Sequence, residues 1–256
     1  MNNVLAIARR ELGAYFDSPL AYFVVPAYVV LVGAFALWFD DLFATGTVGL
    51  RSVFFWSGIF QVLLIPAITM RLFAEERRTG SLEMLVTLPV REEELVLGKY
   101  LAAMVVVAVA LASTFTYPIT LLVLGTPARA DGPPLLFRMF TESGLDFGPV
   151  MSGYFGLLLV GGALAAIGTA ASSVTSSQIV AFLLAITVSI FPFVSGFFLD
   201  KMPIEWLGLV QWLSFDYHFG NFSRGVVDSG GLVFFGSVIG LALHIAVYSL
   251  ERRRLG

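Results

Sequence analysis

The chain contains no cysteine among its 256 residues. That excludes a disulfide framework, a thiol nucleophile and a Cys-ligated zinc. Histidine is nearly absent too: His218 and His244 are the whole supply, too few for a multi-histidine metal site in one chain. Charge is scarce. Only 13% of residues are charged, against about 25% in soluble domains. The formal charge of −3 leaves no basic footprint for nucleic acid, and no nucleic-acid partner is expected. Catalytic signatures are missing as well. Gly98-Lys99 runs into Tyr100 and lacks the upstream glycine of a phosphate-binding loop. There is no H-E-x-x-H, and no G-x-S-x-G surrounds any serine. An intramembrane enzyme would need a nucleophile, a base or a ligand set, and none is gathered in the sequence.

What the chain has is apolar length. Apolar residues make up 58%, and the mean hydropathy is +0.88. Charge-free runs cover 18–39, 52–70, 100–128, 147–199 and 229–250. A bilayer span needs about 20 apolar residues, and a charge at its centre costs about 2.5–3.5 kcal/mol. Four runs fit one span each. The run 147–199 fits two, divided at the polar stretch Ser172-Ser173-Val174-Thr175-Ser176-Ser177-Gln178. The expectation is an all-α polytopic membrane protein with six spans, near 21–38, 52–70, 101–124, 150–171, 179–199 and 230–250, forming one domain over 1–256. Lipid offers backbone groups no partner, so the spans are helices.

Lysine and arginine set the orientation. With the N-terminus inside, inner segments hold ten: Arg9, Arg10, Arg71, Arg77, Arg78, Arg91, Lys99, Arg252, Arg253 and Arg254. Outer segments hold five: Arg51, Arg129, Arg138, Lys201 and Arg224. The bias places both termini in the cytoplasm. Ala34-Phe35-Ala36 looks like a signal-peptidase site, but Glu11 and Asp17 precede an apolar run longer than a signal peptide's, so the first span is expected to stay uncleaved.

Residues 3–16 read as an amphipathic helix with Leu5, Ala8, Leu12, Tyr15 and Phe16 on one face, lying in the inner interface or extending the first span. The loop 71–99 is the most charged piece. Within it, 75–88 can form a helix ended by Pro89, with Gly80 inside it at a cost of about 1 kcal/mol. Glu92, Glu93 and Glu94 suit the first turn of the third span, and Lys99 and Tyr100 suit interface anchors. The segment 200–229 is apolar and aromatic and is expected to re-enter the outer interface as short helices. Asn221-Phe222-Ser223 in it matches a glycosylation sequon. His244 falls inside the last span, where it is either functional or a neutral histidine hydrogen-bonded between helices. Gly162, Ala166 and Ala170, and separately Gly236 and Gly240, form small-residue ridges for close helix packing, within the chain or between subunits.

At the loop 71–99 a resemblance emerges. The pattern Glu76-x-x-x-Gly80-Ser81-Leu82-Glu83-x-Leu85-x-x-x-Pro89-Val90, followed by Gly98-Lys99-Tyr100 at a span's start, resembles ABC-2 type transporter permeases. It is most similar to the short gliding-motility and nitrous-oxide-cluster kind. Phe222-Ser223-Arg224-Gly225-Val226-Val227-Asp228 and Leu250-Glu251-Arg252-Arg253-Arg254 add to it. The resemblance implies a permease subunit of an exporter in a bacterial inner membrane, paired with a second permease subunit. Two copies of a separate ABC ATPase would dock inside, and ATP and magnesium would belong to that partner; this chain binds no cofactor or metal. The family's coupling helix maps onto about 75–88, which makes Glu75, Glu76, Arg77, Gly80 and Glu83 the expected ATPase contacts. The other reading is a force-transmitting or assembly subunit that moves no solute.

Overall fold

The computed structural model describes residues 2–38, 50–81, 90–125, 145–196 and 204–254, and every regular element among them is a helix. In chain order these are α1 (Asn2–Asp17), α2 (Pro19–Trp38), α3 (Arg51–Thr69), α4 (Arg71–Thr79) and α5 (Glu92–Ser113). Then come α6 (Thr116–Gly125), α7 (Phe147–Val174), α8 (Gln178–Val194), α9 (Ile204–Leu213), α10 (Phe215–Ser223) and α11 (Ser229–Arg254).

Among the described residues, four helical stretches are long and apolar enough to cross a membrane: Arg51–Thr79, Glu92–Val123, Phe147–Val174 and Ser229–Arg252. α1 and α2 meet at a 76° bend and together make a fifth candidate. α8, with 17 residues, reaches about 26 Å at 1.5 Å per residue, short of a hydrocarbon core of about 30 Å. Four to five spans thus meet the length and composition test, with α8 as a shorter apolar helix beside them. The expected third span departs most from its forecast. It starts earlier, at Glu92, and breaks at Thr114 and Phe115. Pro118 explains the break, because its ring would collide with the Thr114 carbonyl in a continuous helix. The freed Thr114 carbonyl accepts from Tyr154 Oη at 2.9 Å, and Phe115 stacks on the Tyr154 ring.

α7 is the central post, packed by α3, α5, α8, α10 and α11. Its small residues make this possible. A Cβ at Gly161 would stand 2.7 Å from Val107, and one at Gly153 or Gly168 would overlap Phe54 or Thr69. The ridge of Gly162, Ala166 and Ala170 faces neighbours within the chain, with Tyr100 Oη donating to the Gly162 carbonyl at 3.3 Å. A Cβ at Gly236 or Gly240 on α11 would meet nothing within 4 Å among the described residues.

Several sequence expectations change here. α1 buries Ala8 and Tyr15, whereas Leu5 and Phe16, assigned to the same face, are exposed. The polar stretch 172–178 is mostly helix: α7 continues through Val174, leaving 175–177 as the turn before Ser177 caps α8. α10 is one of the short helices expected within 200–229, and it packs against α7. Its Phe215 and Phe222 are fully buried, and the Phe222 carbonyl accepts from Ser152 Oγ of α7 at 2.7 Å. Asn221 is half-buried with its amide donating to Asp228, so it is a poor glycan acceptor. His244 lies on the exposed face of α11 and has no hydrogen bond among the described residues. The buried histidine is His218, stacked on Phe234 and 2.9 Å from the Trp212 carbonyl.

Candidate functional site

The end of the bundle formed by α1, α4 and the start of α5 carries a buried charge cluster. Its foundation is a close helix approach. Gly98 of α5 leaves room for α1, since a Cβ there would meet Ile7 at 2.7 Å and the Val4 carbonyl at 3.0 Å. Asn3 Nδ2 donates to Glu94 Oε2 at 3.2 Å, fastening the start of α1 to the start of α5. Glu94 Oε2 also accepts the Arg91 backbone N–H, which caps α5.

With α1 that near, Lys99 is enclosed rather than reaching for an interface. Its side chain is 1% exposed. An ammonium has three protons to place, and three acceptors surround it. They are the Leu72 carbonyl at 2.8 Å, Glu76 Oε1 at 2.8 Å and Glu11 Oε1 at 3.1 Å. The Phe73 ring closes the fourth side at 5.1 Å. Arg10 sits at the rim, 3.3 Å from Glu76 Oε1 and 3.5 Å from Glu11 Oε1. Two cations and two carboxylates make the cluster formally neutral. Helix α4 lies past the end of the span, because 29 residues reach about 43 Å at 1.5 Å each. There, burial lifts the Glu76 carboxyl above its ordinary range, and Lys99 pulls it back. Glu76 Oε2 is buried with no hydrogen-bond partner among the described residues.

Two further ties hold α4. Arg71 donates to Ser18 Oγ at 3.1 Å and to the Ala14 carbonyl at 3.2 Å, with its guanidinium over the Tyr15 ring. On the opposite side Ser172 of α7 accepts from the Phe73 and Ala74 N–H groups at 2.9 and 3.1 Å and donates to the Met70 carbonyl at 2.9 Å. α4 is therefore pinned to α1, α5 and α7 at once. It stops where Gly80 takes a left-handed φ of 74°, a conformation glycine adopts without a Cβ penalty.

The residues singled out from sequence fall into different places. Glu75 and Gly80 are exposed, and so are Arg78 and Thr79 beside them. Arg77 is half-buried. Glu76 is turned inward, with Oε1 2.8 Å from Lys99 Nζ. Glu83 lies outside the described residues. The helix expected over 75–88 does not run unbroken, because Gly80 ends α4 instead of sitting inside it. Lys99, Glu11, Arg10, Arg71 and Ser172 were not expected here. The available signal was Glu11, which shares a helical face with Ala8, Leu12 and Tyr15, an unusual place for a carboxylate without a partner.

A comparison with family models matches residues 14–215 to the family described as ABC-2 family transporter protein. No curated protein matches the chain.

Proposed function

The chain belongs to the ABC-2 transporter family, as a multi-pass membrane permease, and from that premise we propose that it is the membrane subunit of an ATP-driven exporter whose engine is a separate chain. One observation supports this reading above the others: α4 is a short helix fixed to three neighbours through buried polar contacts, yet it presents an exposed, charged edge of Glu75, Arg78, Thr79 and Gly80. A segment held that way moves as a rigid body with the helices it grips, so a push on its edge is delivered to α1, α5 and α7. The edge is the docking surface of an ABC ATPase in this reading. Two ATPase copies would serve two permease subunits, with ATP and magnesium bound by the ATPase. The positive bias of the segments around α4 supports a cytoplasmic position for this end and both termini, in a bacterial inner membrane on this reading. Glu76, Arg77 and Glu83 then shape the coupling segment, and Glu76 acts as its internal anchor.

The test is co-purification with a co-expressed stand-alone ABC ATPase from the same genome, then ATP turnover by the complex in nanodiscs. The double reversal Glu75→Arg/Arg78→Glu should lower co-purification at least tenfold and leave the permease monodisperse. Undiminished complex formation, or no complex with the wild-type chain, sinks the reading. Partner-stimulated ATP turnover with no solute moved would assign the chain to force transmission instead.

A further inference from the structure

At the end of the bundle opposite α4, the N-terminus of α3, the middle of α7, the end of α8 and the whole of α10 enclose a cavity of about 380 Å³. Its walls include the rings of Phe54, Phe193 and Phe219, and its polar groups include Arg51, Asp216 and Arg224. The volume falls in the lower part of the range of about 300–1,000 Å³ typical of small-molecule sites. An apolar body with a few placed polar groups is also the usual chemistry of such a site.

The charge pattern selects the ligand. Aromatic faces alone would draw a cation. Here two guanidiniums share the cavity with one carboxylate, which turns the preference to an anion. Asp216 and Arg51 act on each other, so the single carboxylate offsets only one of the two guanidinium charges. Arg224 follows the C-terminus of α10, is exposed, and makes no ion pair among the described residues. We propose that this cavity is a binding site for a small amphiphilic anion, with its acidic head at Arg224 and Arg51 and an aromatic or short acyl body against the phenylalanine walls. Nothing in this depends on ATPase docking, and the test needs no ATPase.

The probe is 2-naphthoate, titrated calorimetrically into the full chain in phosphatidylcholine nanodiscs. Its cationic counterpart, 2-naphthylmethylammonium, is the comparison. Saturable binding of one naphthoate per chain is expected, at least tenfold tighter than the ammonium. Arg224→Gln should weaken it fivefold or more. Gly220→Leu should weaken it too, because Gly220 lines the cavity, and a Cβ there meets nothing within 4 Å among the described residues, so the fold admits the larger side chain. Absent saturable binding, equal binding of the ammonium, or wild-type affinity in both variants overturns the proposal. Competition by dihexanoyl phosphatidylglycerol, and none by dihexanoyl phosphatidylcholine, assigns the anion to a lipid head group. Failure of both to compete assigns it to a soluble amphiphile.

Discussion

Removing Lys99 should strand two carboxylates. In Lys99→Met the apolar stem is kept, so packing against Phe73 changes little, but Glu76 and Glu11 lose the cation that sits at 2.8 and 3.1 Å. Breaking a buried pair from one side costs about 3–5 kcal/mol. Glu76→Gln is milder, because Lys99 keeps Glu11 and the Leu72 carbonyl, and the loss is one charged hydrogen bond of about 1.5–3 kcal/mol. If the two acted independently, the double variant would lose about 4.5–8 kcal/mol. Since Glu76→Gln removes the carboxylate that Lys99→Met would strand, the double variant should be no less stable than Lys99→Met alone, a coupling of at least about 1.5–3 kcal/mol. Arg10 adds little to either sum, being 61% exposed and screened by water. The assay is the thermal midpoint in detergent at one fixed scan rate, read by size-exclusion fluorescence. At about 2–4 °C per kcal/mol for a chain of this size, Lys99→Met should fall by roughly 6–20 °C, with the double variant at or above it. Additivity within about 0.5 kcal/mol would show that Lys99 and Glu76 are not energetically one unit, and the account of α4 as a helix anchored by charge would fail.

Ser172→Ala should free the Phe73 and Ala74 amides, and deuterium exchange at the start of α4 should quicken about tenfold, consistent with a loss of about 1–3 kcal/mol for orphaned buried donors; unchanged exchange would mean Ser172 does not pin α4. Gly98→Leu should lever α1 off α5. Because the chain has no native cysteine, a Cys pair replacing Asn3 and Glu94 reports this directly: oxidative cross-linking should be efficient in the parent and fall severalfold with Gly98→Leu. His244→Leu, on the exposed face of α11, should leave the thermal midpoint within about 0.5 kcal/mol of the parent, whereas a larger drop would reveal a partner for His244.

The helical, polytopic character was legible because burial in lipid forbids charge over about 20 residues at a time, and that constraint is written locally as runs such as 52–70 and 229–250. The breaks were legible only where chemistry is local. Pro118 could have marked the interruption at Thr114, and Gly80 marked a helix end that the amphipathic pattern of 75–88 overrode. Charge pairing is not local. Glu76 and Lys99 are 23 positions apart, and their meeting depends on Gly98, whose missing side chain admits a third helix bringing Glu11. A charged residue beside an apolar run reads as a snorkelling anchor until the helix that covers it is placed.

The same reasoning separates the two histidines. Both lie among apolar residues, and the sequence drew attention to His244 because it falls within an expected span. What decides the matter is which neighbours the fold supplies. His218 receives the Trp212 carbonyl and the face of Phe234 because α10 turns back onto α7 and α11. That turn is set by Ser214, whose hydroxyl accepts the Tyr217 N–H and starts α10. The helix so placed also carries Asp216, Phe219 and Gly220 to one wall of the anion-selective cavity. A cap at Ser214 therefore controls both the burial of His218 and the shape of the cavity, although neither residue type announces a site. In this chain the residues that carry chemistry are positioned by small ones, Ser172, Ser214 and Gly98. Those small residues, more than the charges, are where substitution should separate assembly of the bundle from the work done at its two ends.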